Sequence, residues 1–280
     1  MDGFLIKRKG GLNGSFGKEN IHSLMASNRL KHPLLLKVAP GQDFPPADLA
    51  WGAETEAPGL LCVGSDLSVG TLRQAYQHGI FPWFNEDQPI LWWSPDPRLV
   101  LNVGKFRLHH SLKKTLRHFA KNSVCDIRMN TAFEQVILSC ATSVRNGQRS
   151  TWIVPEMVQA YINLHRAGLA HSVETWVDSE LVGGLYCVAI GHAVFGESMF
   201  HRSSDASKIA LAALVCFCRQ HGITQIDCQQ NTPHLASLGA CVMSRQTFID
   251  SLDVSTRQAA PHWDCPRELW TSFFLNQGVN

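Results

Sequence analysis

Ile226-Asp227-Cys228-Gln229 places two polar side chains at alternate positions of an otherwise apolar run. On a strand, side chains alternate with period two, so Asp227 and Gln229 share one face and Cys228 takes the other. That placement argues against Cys228 as a nucleophile. Two buried polar groups on one face are costly unless they bond each other or a ligand. The competing reading is a strand end that turns toward solvent. A second segment, Gly196-Glu197-Ser198-Met199-Phe200, sets Glu197 among Phe195, Met199 and Phe200, where a carboxylate wants a cation. The adjacent His201-Arg202 offers a structural ion pair, and a bound substrate amine is the functional alternative.

Aromatic residues and charge add two further clusters. Trp83 stands in Phe-Pro-Trp-Phe, Trp92 and Trp93 are adjacent, and Trp152 stands in Thr-Trp-Ile. Tryptophan usually belongs to a core, yet an indole face also stacks on a nucleobase, worth ~1–3 kcal/mol per base. Between Pro97 and Cys125 there are seven Lys or Arg residues and no Asp or Glu. Among them Lys113, Arg117 and Lys121 fall at i, i+4 and i+8 and line one helical stripe. Such a stripe is either a solvated face or a phosphate-binding one.

The whole chain must be able to position these groups. Its 280 residues suit one large domain or two unequal ones, and 45% apolar with 17% charged residues is ordinary globular composition. A net charge of +2 does not announce a nucleic-acid partner, so any such contact rests on local clusters. Nine cysteines without a secretory h-region read as free thiols in a reducing cytosol. Cys216 and Cys218 form the one close pair and lack partners at metal-ligand spacing, so no metal site is expected. No run reaches the roughly 18 apolar residues of a membrane span, and no membrane partner is expected. Residues 1–43 mix glycines with basic and polar residues without hydrophobic period and read as a flexible tail, with Met25 a candidate later start.

Downstream, periodicity predicts a helix over 68–79, capped by Ser68, with Leu72, Ala75 and Tyr76 as its buried stripe. The segment 81–98, rich in Pro and Trp, cannot be a regular helix and closes a small N-terminal domain of 44–96. The remaining 97–280 alternates helices and strands. Leu108, Leu112, Leu116 and Phe119 mark a helix, followed by a strand at 124–129 and helices at 131–141 and 155–168. Three strands follow at 171–177, 181–190 and 193–199, with Asp178-Ser179 and Gly191-His192 as turns. Asp205 or Ser204 caps a long apolar helix to Arg219. A strand at 224–228 and a helical turn through Ala236 complete the series. This order suits a mixed α/β (α+β) acyltransferase domain better than a Rossmann sheet, since no Gly-x-Gly-x-x-Gly turn follows a strand.

Phe81-Pro-Trp-Phe84, Trp92-Trp-Ser-Pro-Asp-Pro-Arg98, Thr151-Trp-Ile153, Gly196-Glu-Ser-Met-Phe200, Ala206-Ser-Lys208, Ile226-Asp-Cys-Gln229 and His234-Leu-Ala-Ser-Leu-Gly-Ala240 together resemble the leucyl/phenylalanyl-tRNA–protein transferases. The resemblance runs from about Pro58 to Ala240 in the family's order. It implies a small N-terminal domain packed on a GNAT-like domain with a mixed, mainly antiparallel sheet. It also implies transfer of Leu or Phe, with Met an alternative, from Leu-tRNA or Phe-tRNA to proteins with N-terminal Lys or Arg, marking them for degradation. No cofactor is implied. By the same likeness Trp83 and Trp152 hold the terminal adenosine, and Asp227 with Gln229 sits at the reacting carbonyl. Glu197 binds a cationic group, either the acceptor side chain or the donor amine. Leu185, Val194, Leu211 and Leu214 line the side-chain pocket, and Lys113, Arg117 and Lys121 are the candidate tRNA contacts. An acetyl-coenzyme A enzyme would carry a pyrophosphate loop, which Gly183-Gly184 and Arg145-Asn-Gly147 do not supply. A peptidoglycan ligase would share the donor class, and a non-catalytic RNA-binding module would need neither Asp227 nor Glu197.

Overall fold

The computed structural model describes residues 33–143, 153–230 and 232–276, and the account below concerns those. Two sheets organise them. The smaller sheet has four strands in the order β1 (Leu36–Val38), β2 (Leu60–Gly64), β4 (Leu91–Trp93) and β3 (Phe81–Pro82). Helix α1 (Val69–Gln77) joins β2 to β3, and the Ser68 hydroxyl caps it by accepting the Thr71 N–H, as its sequence predicts. Strand β1 lies inside the stretch read as tail: it pairs parallel with β2 through Leu36–Cys62 and Val38–Gly64. A strand of three residues is too short to show a period, so only its pairing partner reveals it.

The larger sheet has seven strands. In sequence they are β5 (Arg98–Asn102), β6 (Cys125–Met129), β7 (Ala170–Val177), β8 (Glu180–Ile190), β9 (Ala193–His201), β10 (Gln225–Gln229) and β11 (Ala240–Met243). Their spatial order is β11-β5-β10-β9-β8-β7-β6. All neighbours are antiparallel except β10 with β9. The expected meander is β7-β8-β9, with both of its turns at left-handed residues, Asp178-Ser179 and Gly191. A parallel neighbour requires a crossover, and α5 (Ala206–Gln220) supplies it between β9 and β10. Asp205 precedes α5 but caps no N–H; its carboxylate instead takes the Lys208 ammonium at 2.7 Å.

Helices cover both faces and divide the core in two. On one face α1, α3 (Phe133–Thr142), α4 (Pro155–Arg166) and α7 (Arg245–Ser255) pack with the smaller sheet around Tyr76, Phe81, Tyr161, Phe195 and Phe248. On the other, α2 (His110–Lys121), α5, the short α6 (Pro233–Ser237) and α8 (Arg267–Leu275) enclose Leu116, Leu185, Leu211, Leu214 and Trp270. Helices α7 and α8 lie beyond the segments that periodicity marked. No helix among the described residues is long and apolar enough to cross a membrane.

Helix α5 lies close against β8 because Gly183 lacks a side chain. A Cβ there would stand 2.5 Å from the Ala206 Cβ and 2.9 Å from the Ala206 carbonyl carbon. Backbone cannot yield as a flexible side chain does, so Gly183→Val is expected to destabilise the fold by about 1–3 kcal/mol. Urea denaturation reads this as a lower midpoint at unchanged slope; an unchanged midpoint would mean that α5 is free to shift.

Candidate active site

Strand β10 lies between β9 and β5, so both of its edges are paired and its side chains enter the two cores. Ile226 and Cys228 point into the α5 side. Asp227 points to the other, where Arg98 meets it in a fork: Nε donates to Oδ1 at 2.9 Å and Nη2 to Oδ2 at 2.6 Å. After Asp227 the register against β5 shifts, and Gln229 adopts φ +60°. The bulge therefore falls at Gln229, whose side chain stays on the face that Asp227 takes. Asp227 Oδ1 also accepts the Gln229 backbone N–H at 2.8 Å.

Gln229 Nε2 donates to Glu197 Oε1 at 3.0 Å. Glu197 itself sits at a bulge of β9, where Tyr186 pairs Ser198 and Cys187 pairs Gly196. The local ion pair offered by His201-Arg202 does not form. Arg202 donates to the Leu181 carbonyl and the Ser139 hydroxyl, and His201 is exposed. Instead two tyrosines hold the carboxyl, Tyr76 at 2.7 Å to Oε1 and Tyr161 at 3.2 Å to Oε2, and their hydroxyls lie 2.5 Å apart.

Counting protons in this ring shows which charge state its hydrogen bonds favour. Three oxygen–oxygen contacts need three protons, and the two phenols supply two. An ionised Glu197 leaves one contact as facing lone pairs, whereas a protonated Glu197 closes the ring. Burial pushes the Glu197 carboxyl up to about 7, and the charge of Asp227 adds to the effect, while the tyrosine hydroxyls and Arg98 oppose it. The same burial, with Glu197 nearby, raises both tyrosines above their ordinary range.

One acceptor in this cluster is left over. Gln229 Oε1 is buried without a hydrogen-bond partner among the described residues. A buried amide oxygen in that condition is costly in a resting protein and useful where an N–H donor is to arrive.

The other expected residues lie elsewhere. Leu185, Val194, Leu211 and Leu214 belong, with Met199, to the one apolar core on the α5 side and are closed to solvent. Glu197, Asp227 and Gln229 make their polar contacts on the opposite face. Trp92 and Trp93 are core: their indole N–H groups donate to Gly64 O at 2.9 Å and Trp83 O at 2.7 Å. Trp83 is half-buried, 5.2 Å from the Trp93 ring, and its Nε1 is a buried donor without a partner among the described residues. Trp152 falls outside the described residues. Helix α2 turns Leu112, Leu116 and Phe119 inward, leaving Lys113 and Arg117 half-exposed and Lys121 exposed. An open cleft of about 580 Å³, lined by Asp126, Arg128, Trp176 and Arg267, lies instead at the β6 edge.

Sequence reading missed Arg98, Tyr76 and Tyr161. Arg98 was counted with the basic run, although it directly precedes the apolar Leu99-Val-Leu and is wholly buried. Tyr76 was read as a helical core position. The chain holds only three tyrosines, and all three are fully buried on one side of the large sheet. Scarce residues with a polar tip at apolar stripe positions were the available signal.

The mixed, mainly antiparallel sheet, with a buried acid–amide–phenol cluster between its middle strands, defines a protein of the α+β class. The leucyl/phenylalanyl-tRNA protein transferase profile matches residues 100–253, and the profile of that family's N-terminal domain matches 65–96. The leucyl/phenylalanyl-tRNA–protein transferase of Albidiferax ferrireducens is 61% identical over 248 residues, 89% of this chain and 98% of that protein. The proteins of the same name from Polaromonas sp. and Leptothrix cholodnii are 58% and 61% identical, over 83% and 73% of this chain and 91% and 80% of their own lengths. The chain belongs to this family of aminoacyltransferases.

The raised Glu197 carboxyl has a consequence for stability. Its folded value of about 7 exceeds the ordinary 4.5. The stability it contributes is therefore complete below about 4.5 and lost as pH rises through 7. Glu197→Gln removes this dependence, so the melting temperature of the variant relative to the native protein is expected to rise from pH 5 to pH 8. A constant difference across that range would place the Glu197 titration at its ordinary value.

Proposed function

We propose that this chain moves Leu or Phe, with Met as a further donor, from charged tRNA to the α-amine of proteins beginning with Lys or Arg, in the cytosol, so marking them for degradation. The unpartnered Gln229 Oε1 carries this reading: it supplies an acceptor for an N–H of the attacking amine, beside a Glu197 poised near neutrality. The chemistry needs no covalent enzyme intermediate. The amine nitrogen attacks the ester carbonyl, the new C–N bond forms, the bond to the ribose oxygen breaks, and one amine proton ends on that oxygen. An α-amine with an ordinary pKa of ~7.7–8.0 is already partly neutral at cell pH. Catalysis then rests on holding the two reactants together and on aimed polar groups.

Within this reading Gln229 orients the amine and Asp227 holds Gln229 through its backbone N–H. Arg98 already neutralises the Asp227 carboxylate, so Asp227 serves to position Gln229 rather than to stabilise the ammonium that forms as the amine attacks. Glu197 receives a cationic group of one substrate, the acceptor side chain or the donor amine. Trp83 and Trp152 clasp the terminal adenosine, and Leu185, Val194, Leu211 and Leu214 bound the donor side-chain pocket, which must open under α5 to admit it. Lys113, Arg117 and Lys121 contact tRNA phosphates. The separate profile matches support a dividing line near Asp96 between a small domain and a transfer domain, and the pairing of β1 with β2 extends the small domain upstream of residue 44, to Leu36 at least.

A transfer assay with labelled Leu-tRNA and peptides differing only in the first residue tests the function. Lys- and Arg-initiated peptides are expected to accept label and acidic or apolar ones to remain blank; indiscriminate labelling would overturn the acceptor assignment. For the donor, Leu214→Trp is expected to shut out Phe before it harms tRNA binding, and equal use of Phe would put the pocket elsewhere. Neutralising Lys113, Arg117 and Lys121 together is expected to weaken tRNA binding and lower its log–log salt slope by up to about 2–3, since each phosphate contact releases counterions. An unchanged slope would return α2 to a solvated surface.

A further inference from the structure

We infer that Arg98 is a positioning residue for the transfer step: its fork holds Asp227, and Asp227 in turn holds the left-handed backbone that aims the Gln229 carbonyl oxygen. This rests on the reading of Gln229 as the group that orients the attacking amine.

The chain of contacts is continuous. Arg98 and Asp227 meet bidentately, at 2.9 and 2.6 Å, with both side chains about 1% exposed. Paired, charge-assisted bonds of this kind fix orientation as well as distance. The Oδ1 that accepts from Arg98 Nε is the same atom that accepts the Gln229 N–H. Gln229 stands at φ +60°, a conformation that costs a side-chain-bearing residue energy and persists only where its surroundings over-determine it. Asp227 is the group that determines it, because its carboxylate closes the turn onto the Gln229 N–H at the point where the register slips.

Arg98 is in turn held from three other directions. Nη1 donates to the Gly79 carbonyl at 3.0 Å, just beyond the end of α1, the helix that carries Tyr76. The Phe81 and Phe248 rings lie 4.9 and 4.7 Å from the guanidinium carbon. So β5, β10, the end of α1, β3 and α7 all converge on one planar group. A lysine has the charge but neither the fork nor the flat faces. Arg98 therefore acts on rate through the geometry of Gln229, and the charge of Asp227 is neutralised within the pair.

The test compares single-turnover transfer, donor KM and melting temperature for Arg98→Lys, the double variant Arg98→Gln/Asp227→Asn, Gln229→Ala, and Arg98→Lys/Gln229→Ala. Arg98→Lys is expected to lose at least about 10-fold in rate with donor KM changed by less than about 3-fold. The Gln/Asn pair strands no buried charge, so it stays folded if the lysine variant does not, and it is expected to be comparably slow. Adding Gln229→Ala to Arg98→Lys is expected to slow the enzyme little beyond Gln229→Ala alone, because the residues work as one unit. A folded Arg98→Lys enzyme at native rate, or losses that multiply, would overturn the role of Arg98. So would a Gln/Asn variant that melts early but transfers at native rate. A native-rate Gln229→Ala would instead overturn the reading of Gln229 and, with it, this one.

Discussion

A guanidinium and a carboxylate taken out of water together are costly unless they are well paired, and Arg98 with Asp227 forms a bidentate fork where the two sheets join, with each Arg98 nitrogen donating at least one hydrogen bond. Three of the contacts around the pair reach different parts of the chain: the end of α1 through Gly79, the smaller sheet through Phe81, and α7 through Phe248. The remaining carboxylate capacity goes to the Gln229 N–H. The junction of the small module with the large sheet and the shape of β10 at Gln229 thus meet at the same ion pair. Removing one partner alone would leave a buried charge in a place that five elements enclose.

Around that pair the large sheet separates two kinds of work. One face carries the ring of Glu197, Tyr76 and Tyr161 with Gln229 attached, all closed from bulk water. In such surroundings a carboxyl is pushed toward its neutral form, and hydrogen bonds are stronger than at a surface. The other face is apolar, with α5 laid close over Gly183 and the four proposed pocket residues beneath it. Burial pushes the thiol of Cys228 well above its ordinary value there, consistent with a packing role for that side chain. The polar cluster at β10 and the apolar residues under α5 are linked through the strand itself, whose successive side chains enter both cores.

Bulges coincide with the site. In a regular strand Glu197 and Gln229 would follow the alternation of their neighbours. Alternation from Phe195 and from Asp227 already directs both toward the tyrosine face, and the extra residue in β9 and the register slip in β10 fall at these two residues. Left-handed backbone at Gln229 stores strain at the place where a substrate group is proposed to bind. That agrees with the general tendency of strained residues to gather at functional sites.

Much was legible before any coordinates. Local order sufficed for the capped helix with its Leu72, Ala75 and Tyr76 stripe, for the three-strand meander and its turns, and for the long apolar α5, because period and turn chemistry act over a few residues. Residue type and spacing also singled out Asp227, Gln229 and Glu197, since polar side chains in apolar strands are conspicuous in one dimension. What the sequence could not determine is which partners those side chains take. Arg98 lies 129 positions from Asp227, Tyr76 lies 121 from Glu197, and Tyr161 lies 36 from it. The adjacent His201-Arg202 looked the nearer cation for Glu197, but β9 directs those residues away and two phenols arrive from separate helices. The short strand β1 and the left-handed Gln229 were likewise hidden, one too brief to have a period and the other set by a bulge against β5. Backbone propensity is a local property; pairing of buried charge is decided only when distant segments close around it.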